Sequence, residues 1–201
     1  MKKILLVLAL IPVVASVGIA KSPDLSTCKK QTFIVTGYYS PIEGQTFYYK
    51  GSLEADKKLN GQGVRGASGK AVFNGMLAAP KTYEFGTKIY FPGYGMGQVE
   101  DRGGAIVTAG NRNYSYDRID IWLGSGEDGL KRALSFGKRE LVGYVCPDGD
   151  IGFNMGKFPI YNNLFKDVLW NVTLGVGKTD NNVRTLQTHL KDLGYLTNKE
   201  V

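Results

Sequence analysis

From Gln31 the chain alternates apolar and polar positions in short runs. TFIVTGYY is β-branched and aromatic and predicts a strand. AVFNGMLAAP reads as a second strand running into Pro80. TKIYFPGYG and GQVEDRG give two more, with Pro92-Gly93 and Gly95 marking the turn between them. RIDIWLG and RELVGYVC are the last two. In RIDIWLG the alternation puts Ile119, Ile121 and Leu123 on one face, and Asp120 with Trp122 on the other. Between these last strands, SGEDGLKRALSFGKRE predicts a helix: Ser125 at its N-cap, Asp128 three positions on, Leu130, Ala133 and Leu134 sharing a face, and Gly137 just past the end. About six short strands and one helix in roughly 120 residues predict a mainly β fold, a small barrel spanning 31–147.

The pattern breaks in four places. SPIEGQTFYYKGSLEADKKLNGQGVRGASGK is too long for a hairpin connection, and loops of that size usually carry function. After Pro147 the run PDGDIGFNMGKFPIYNN has no period and reads as a linker over 148–163. In 164–201, Val183, Leu186, Leu190 and Leu193 share one helical face and Gly194 ends it; a lone helix cannot bury that face, so the piece either docks on the barrel or is a fragment of a larger fold. At the N-terminus, MKKILLVLALIPVVASVGIA sets Lys2 and Lys3 before a short apolar core and small residues at 18–20. That predicts a secretory signal peptide over 1–20, with an uncleaved anchor as the alternative and the sole route to a membrane.

Composition narrows the picture. Hydrophobic content of 43% supports a core, and 27 glycines suit a turn-rich chain. The formal charge of +7 becomes 7 − 2 = +5 without Lys2 and Lys3. A mildly basic exported protein suits an anionic polymer, and the lack of any Lys/Arg-rich run argues against nucleic acid. Cys28 and Cys146 bracket the barrel, and in an exported protein they either form a disulfide or stay as two thiols. A bridge would be worth roughly 5 kcal/mol through the long loop it closes. One His and two distant Cys leave no zinc ligand set, and no motif calls for a cofactor.

GVRGASGKAVFNGMLAAP, FGTKIYFPGYG, VEDRGGAI and RIDIWLGSG occur in the order of the 3D (three-aspartate) domain, and residues 33–146 resemble that family. It is a double-psi β-barrel found in membrane-bound lytic transglycosylase A and in bacterial stationary-phase survival proteins; the barrels of rare lipoprotein A and the expansins are looser relatives. NVRTLQTHLKDLGYL resembles the opening helix of the peptidoglycan-binding domain type 1. Both resemblances imply an exported protein of the cell envelope or extracellular space, acting on peptidoglycan or another wall glycan. Residue by residue, the family's D-x-G-G-A-I aspartate falls on Asp101 and its R-(I/V)-D aspartate on Asp120, the position that looks like the catalytic acid of the transglycosylases. The family's remaining aspartate, in an A-D-P segment, falls on Ala79, and 107–116 is an insert.

The chemistry implied is glycosidic cleavage, with one carboxyl acting first as acid and then as base while a second raises its pKa by like-charge repulsion. Asp120 and Asp101 suit these roles. Trp122, Tyr38 and Tyr39 could meet a sugar, Gly103 and Gly104 would let it approach the backbone, and Ser68 could line the groove. Three of them have a structural alternative: Asp120 as a bonded or ion-paired acid, Asp101 as a tie for the Arg102-Gly103-Gly104 turn, Trp122 as barrel packing. The sequence therefore supports a peptidoglycan lytic transglycosylase first, a non-cleaving, expansin-like glycan-binding module favoured by Ala79 second, and third a structural wall protein whose barrel presents the tail helix to a partner.

Overall fold

The structure is a computed structural model that describes residues 23–61 and 63–160, with Gln187 and Lys191 beyond them. The stretch expected to be a signal peptide, 1–20, and the rest of the tail lie outside the described residues. Within them run β1 (Lys29–Ser40), α1 (Leu53–Asn60), β2 (Met76–Ala78), β3 (Lys88–Phe91), β4 (Gly95–Asp101), β5 (Asp117–Ser125), α2 (Gly126–Phe136), β6 (Arg139–Cys146) and β7 (Gly152–Phe153).

Six strands close on themselves in the order β2-β5-β1-β6-β3-β4 and back to β2. The β1–β5 and β2–β4 pairs are parallel, and the other four are antiparallel. This is the mainly β, six-stranded barrel that the alternating pattern predicts. Phe33 and Val35 of β1, Leu77 of β2, Phe91 of β3 and Ile119 and Ile121 of β5 are fully buried in one cluster. Each such side chain contributes about 1.5–3 kcal/mol relative to exposure. Closure pairs both edges of every barrel strand, so β5 can be apolar on one face and carry functional groups on the other.

Cys28 and Cys146 form a disulfide that joins the start of β1 to the end of its antiparallel neighbour β6. With a sequence separation of 118 between the cysteines, the loop closed is worth about 5 kcal/mol in the chain-entropy account. The helix α2 lies on β1 and β5. Gly37 permits that approach: a Cβ there would fall 2.4 Å from Leu123 Cδ1 and 3.3 Å from Ala133 Cα. Ser125 occupies the N-cap position of α2, but its side chain makes no capping bond; Gly137 ends the helix at φ 64° with its N–H on the Ala133 carbonyl.

Two segments differ from expectation. The long excursion, expected to be a loop, contains the helix α1. Ser52 caps it by accepting from the Ala55 N–H at 3.2 Å, Glu54 and Asp56 fall in its first turn, and Lys57 and Lys58 in its last. Its few apolar residues cannot hold it; hydrogen bonds do. Asp56 is fully buried and accepts from the Tyr39 hydroxyl, the Tyr49 N–H at 2.8 Å and the Lys50 N–H at 2.6 Å. Glu127 of α2 accepts from the Thr46 N–H at 2.5 Å, anchoring the excursion's near end. Bonding to Thr46 holds the Glu127 carboxyl below its usual range. The segment expected to be a linker, 148–163, instead packs on the barrel as far as it is described. β7 pairs with β4, Phe158 is buried against Tyr94 and Phe136, and Phe153 is buried against Phe91 and Phe158.

Candidate functional site

The strand register puts four residues in one row across the barrel wall. Thr36 of β1 pairs with Asp120 of β5, Asp120 with Ala78 of β2, and Ala78 with Asp101 at the end of β4. Residues paired across strands point to the same face. The two aspartates therefore flank one alanine on the outer wall, away from Ile119, Ile121 and Leu123. The small Ala78 side chain leaves the space between them open.

Asp120 lies at the floor of a groove. Its side chain is packed deeply, with part of its surface still open to the cavity above. Its one hydrogen-bond donor among the described side chains is the Thr36 hydroxyl. Arg118, two residues back and so on the same face, donates from Nη2 to the Thr36 hydroxyl at 3.2 Å and from Nη1 to the Tyr114 hydroxyl at 3.2 Å. Burial pushes the Asp120 carboxyl above the ordinary aspartate value, and the Asp101 charge adds to it. The Thr36 bond and the Arg118 charge oppose the rise without cancelling it.

Asp101 is held differently. One oxygen, Oδ1, accepts from the Ala67 N–H at 2.9 Å and from the Arg102 N–H at 2.8 Å. The first bond ties the far end of the excursion to β4, where Gly66 lies so close that a Cβ would sit 2.4 Å from the Glu100 carbonyl oxygen. Asp101 thus fixes the turn, as its structural alternative anticipated, while still facing the groove. The Tyr38 hydroxyl is buried beside Asp101 and completes no hydrogen bond of good geometry. Burial, then the charges of Asp101 and Asp120, keep that phenol protonated far above its ordinary range.

Two adjoining cavities open over this row. One, of about 430 Å³, runs between β1, α1 and α2; Tyr39, Tyr49, Lys58 and Arg118 are on its wall. The other, of about 330 Å³, lies toward Asp101, Arg102 and Arg65. Tyr38, Gly103, Gly104 and Asp120 line both, so Asp120 stands where the two meet. Gly104 meets no heavy atom within 4 Å of a built Cβ, so packing does not require glycine there. A side chain at 104 would occupy space beside the groove instead.

The structure brings together Asp120, Asp101, Tyr38, Gly103 and Gly104. Tyr39 also reaches the larger cavity, but its hydroxyl is committed to Asp56. Two expected groove residues are not there. Trp122 shares the outer face of β5, yet its indole N–H donates to Ser40 Oγ at 2.8 Å and it lines neither cavity. Ser68 is bound to β4 through its N–H on the Glu100 carbonyl at 3.0 Å and also lines neither. Ala79 is buried in the core, and its carbonyl accepts from Arg102 Nη1 at 3.1 Å. Asp117 does not pair with Arg118. It accepts from Gln31, from the Tyr83 hydroxyl and from the Ala109 N–H, which pins the insert.

Sequence reasoning missed Thr36, Arg118 and the α1 residues Lys58, Leu59 and Asn60. For the first two a signal existed, since each lies two residues from a named site residue on the same strand. No family model matches this chain, and neither a curated protein nor a solved structure matches it.

Proposed function

We propose that the protein is an exported cell-wall protein that cleaves peptidoglycan glycan strands as a lytic transglycosylase, with Asp120 as acid and then base. The observation that carries this reading is Asp120 itself. It is a deeply set carboxyl at the junction of two cavities, with burial and a neighbouring carboxylate raising its pKa and one hydroxyl as its bonded partner. A carboxyl whose pKa is raised holds its proton to higher pH than an ordinary aspartate and can donate it to a leaving oxygen.

The steps balance without water. Asp120 gives its proton to the bridging oxygen as the bond from the anomeric carbon to that oxygen breaks. The resulting carboxylate then takes the proton from the 6-hydroxyl of the same sugar as that oxygen bonds the anomeric carbon. The products are a free 4-hydroxyl and a 1,6-anhydro end. Asp101, held in place by two backbone N–H groups, faces the groove beside Asp120, and positive charge developing on the sugar would be stabilised there.

A second reading, glycan binding without cleavage, is favoured by Ala79, which leaves two carboxyls where the resembled family has three, and by the Arg118 charge beside Asp120. Mass spectrometry of purified peptidoglycan incubated with the protein, beside Asp120→Asn, separates the two. Anhydro-ended fragments made only by the unsubstituted protein support the transglycosylase. Intact polymer that still co-sediments with both proteins supports the binding module.

A further inference from the structure

The larger cavity is not electrically balanced. Among the residues that line it, Lys58 and Arg118 are the cations and Asp120 is the acid. Burial drives that one acid toward its neutral form, so the cavity presents a net positive field to whatever enters. Its two cations are also differently committed. Arg118 has both terminal nitrogens on hydroxyl groups of the protein, while its Nε–H is buried and without a partner. Lys58 is exposed near the C-terminal end of α1, and no carboxylate pairs with it within the described residues. The smaller cavity differs: its cations Arg65 and Arg102 donate to backbone carbonyls, and Arg102 stacks on Phe85 at 4.2 Å.

We propose that the larger cavity seats a free carboxylate carried by the glycan, one sugar substituent away from the bond at Asp120, with Arg118 and Lys58 as its partners. This rests on the glycan reading above and adds a substrate class to it. An ammonium with no carboxylate partner and a guanidinium charge on the same cavity wall match a singly charged carboxylate, whereas a phosphate calls for a fuller set of donors. On peptidoglycan that group is the lactyl carboxylate, which is free only where the peptide has been removed. The protein would then act after a peptide-removing amide hydrolysis, on bare glycan.

The test compares two soluble oligosaccharides from the same wall glycan, stripped of peptide: one with free lactyl carboxylates, one with those carboxylates converted to methylamides. Binding is measured by calorimetry with the full chain and with Lys58→Gln. Lys58 is exposed, so the variant should fold. The free-acid form should bind the unsubstituted protein about tenfold more tightly, and raising the salt should weaken that form alone. Lys58→Gln should weaken the free acid several-fold and leave the amide unchanged. Equal binding of both forms, or an equal loss for both in Lys58→Gln, overturns the carboxylate assignment while leaving the glycan reading intact. Binding of neither form overturns both.

Discussion

Asp56 and Asp120 are both deeply set aspartates within one fold, and they are surrounded in opposite ways. Asp56 accepts from one hydroxyl and two backbone N–H groups, so its charge is fully bonded and it locks the excursion onto β1. Asp120 has one hydroxyl and a cavity above it. The donors around a buried carboxyl decide its use. Three donors make a strut, and one donor with an open side leaves a proton that can be given away. Asp101 lies between the two cases, bonded by two N–H groups on a single oxygen while facing the groove.

Substitutions at the two aspartates should have opposite effects. Asp120→Asn removes the acid and keeps the shape. Cleavage should fall about 10³-fold while circular dichroism and melting cooperativity are retained, as befits loss of a general acid. Asp56→Ala should do the reverse in kind. It strands a hydroxyl and two N–H groups in the interior, which should cost about 3 kcal/mol of stability by denaturant unfolding. An intact Asp56→Ala protein with full stability would remove the distinction.

Asp120 also makes stability depend on pH. The folded Asp120 carboxyl binds its proton more tightly than the unfolded one, whose pKa is about 3.9. The native state therefore holds more protons, and this residue's contribution to stability declines as pH rises from that value through the raised folded one. Above that window the ionised carboxyl is a burden to the fold. Asp120→Asn should accordingly gain melting temperature over the unsubstituted protein at pH 8 and lose that advantage at pH 3.5. A constant difference across the range would contradict the assignment.

Two smaller effects concern the groove's walls. Gly104→Val should fold normally and weaken glycan binding about tenfold, as measured by co-sedimentation, because the side chain enters the approach and meets nothing in the fold. Trp122→Phe removes a hydrogen bond to Ser40 outside both cavities, so it should change binding by less than about twofold and stability by about 1 kcal/mol.

The barrel was legible because a closed sheet imposes period two on every strand, and Ile119, Ile121 and Leu123 record that period without interruption. The helix α1 was not, because eight mostly polar residues carry no apolar stripe; their order comes from Asp56, whose donors lie on β1 and in the preceding turn. Phe153 and Phe158 escaped for a related reason, since a two-residue strand and a single turn are too short to show a period. At the site, residues joined to a named acid by strand alternation could be found, and Arg118 was there to be read. Lys58, Leu59 and Asn60 could not, because only the folded excursion brings them to the groove. Trp122 shows the limit of the alternation rule. Sharing a strand face with Asp120 places a side chain on the same wall and does not place it in the same cavity.

A proton-donor role for Asp120 with Asp101 assisting is open to carbon-13 NMR titration of the Asp120 carboxyl, in the unsubstituted protein and in Asp101→Asn. The midpoint should lie above the ordinary value of about 3.9 and move down when the Asp101 charge is removed. A midpoint at or below that value, unmoved by Asp101→Asn, would make Asp120 an ordinary bonded carboxylate and contradict its role as the acid.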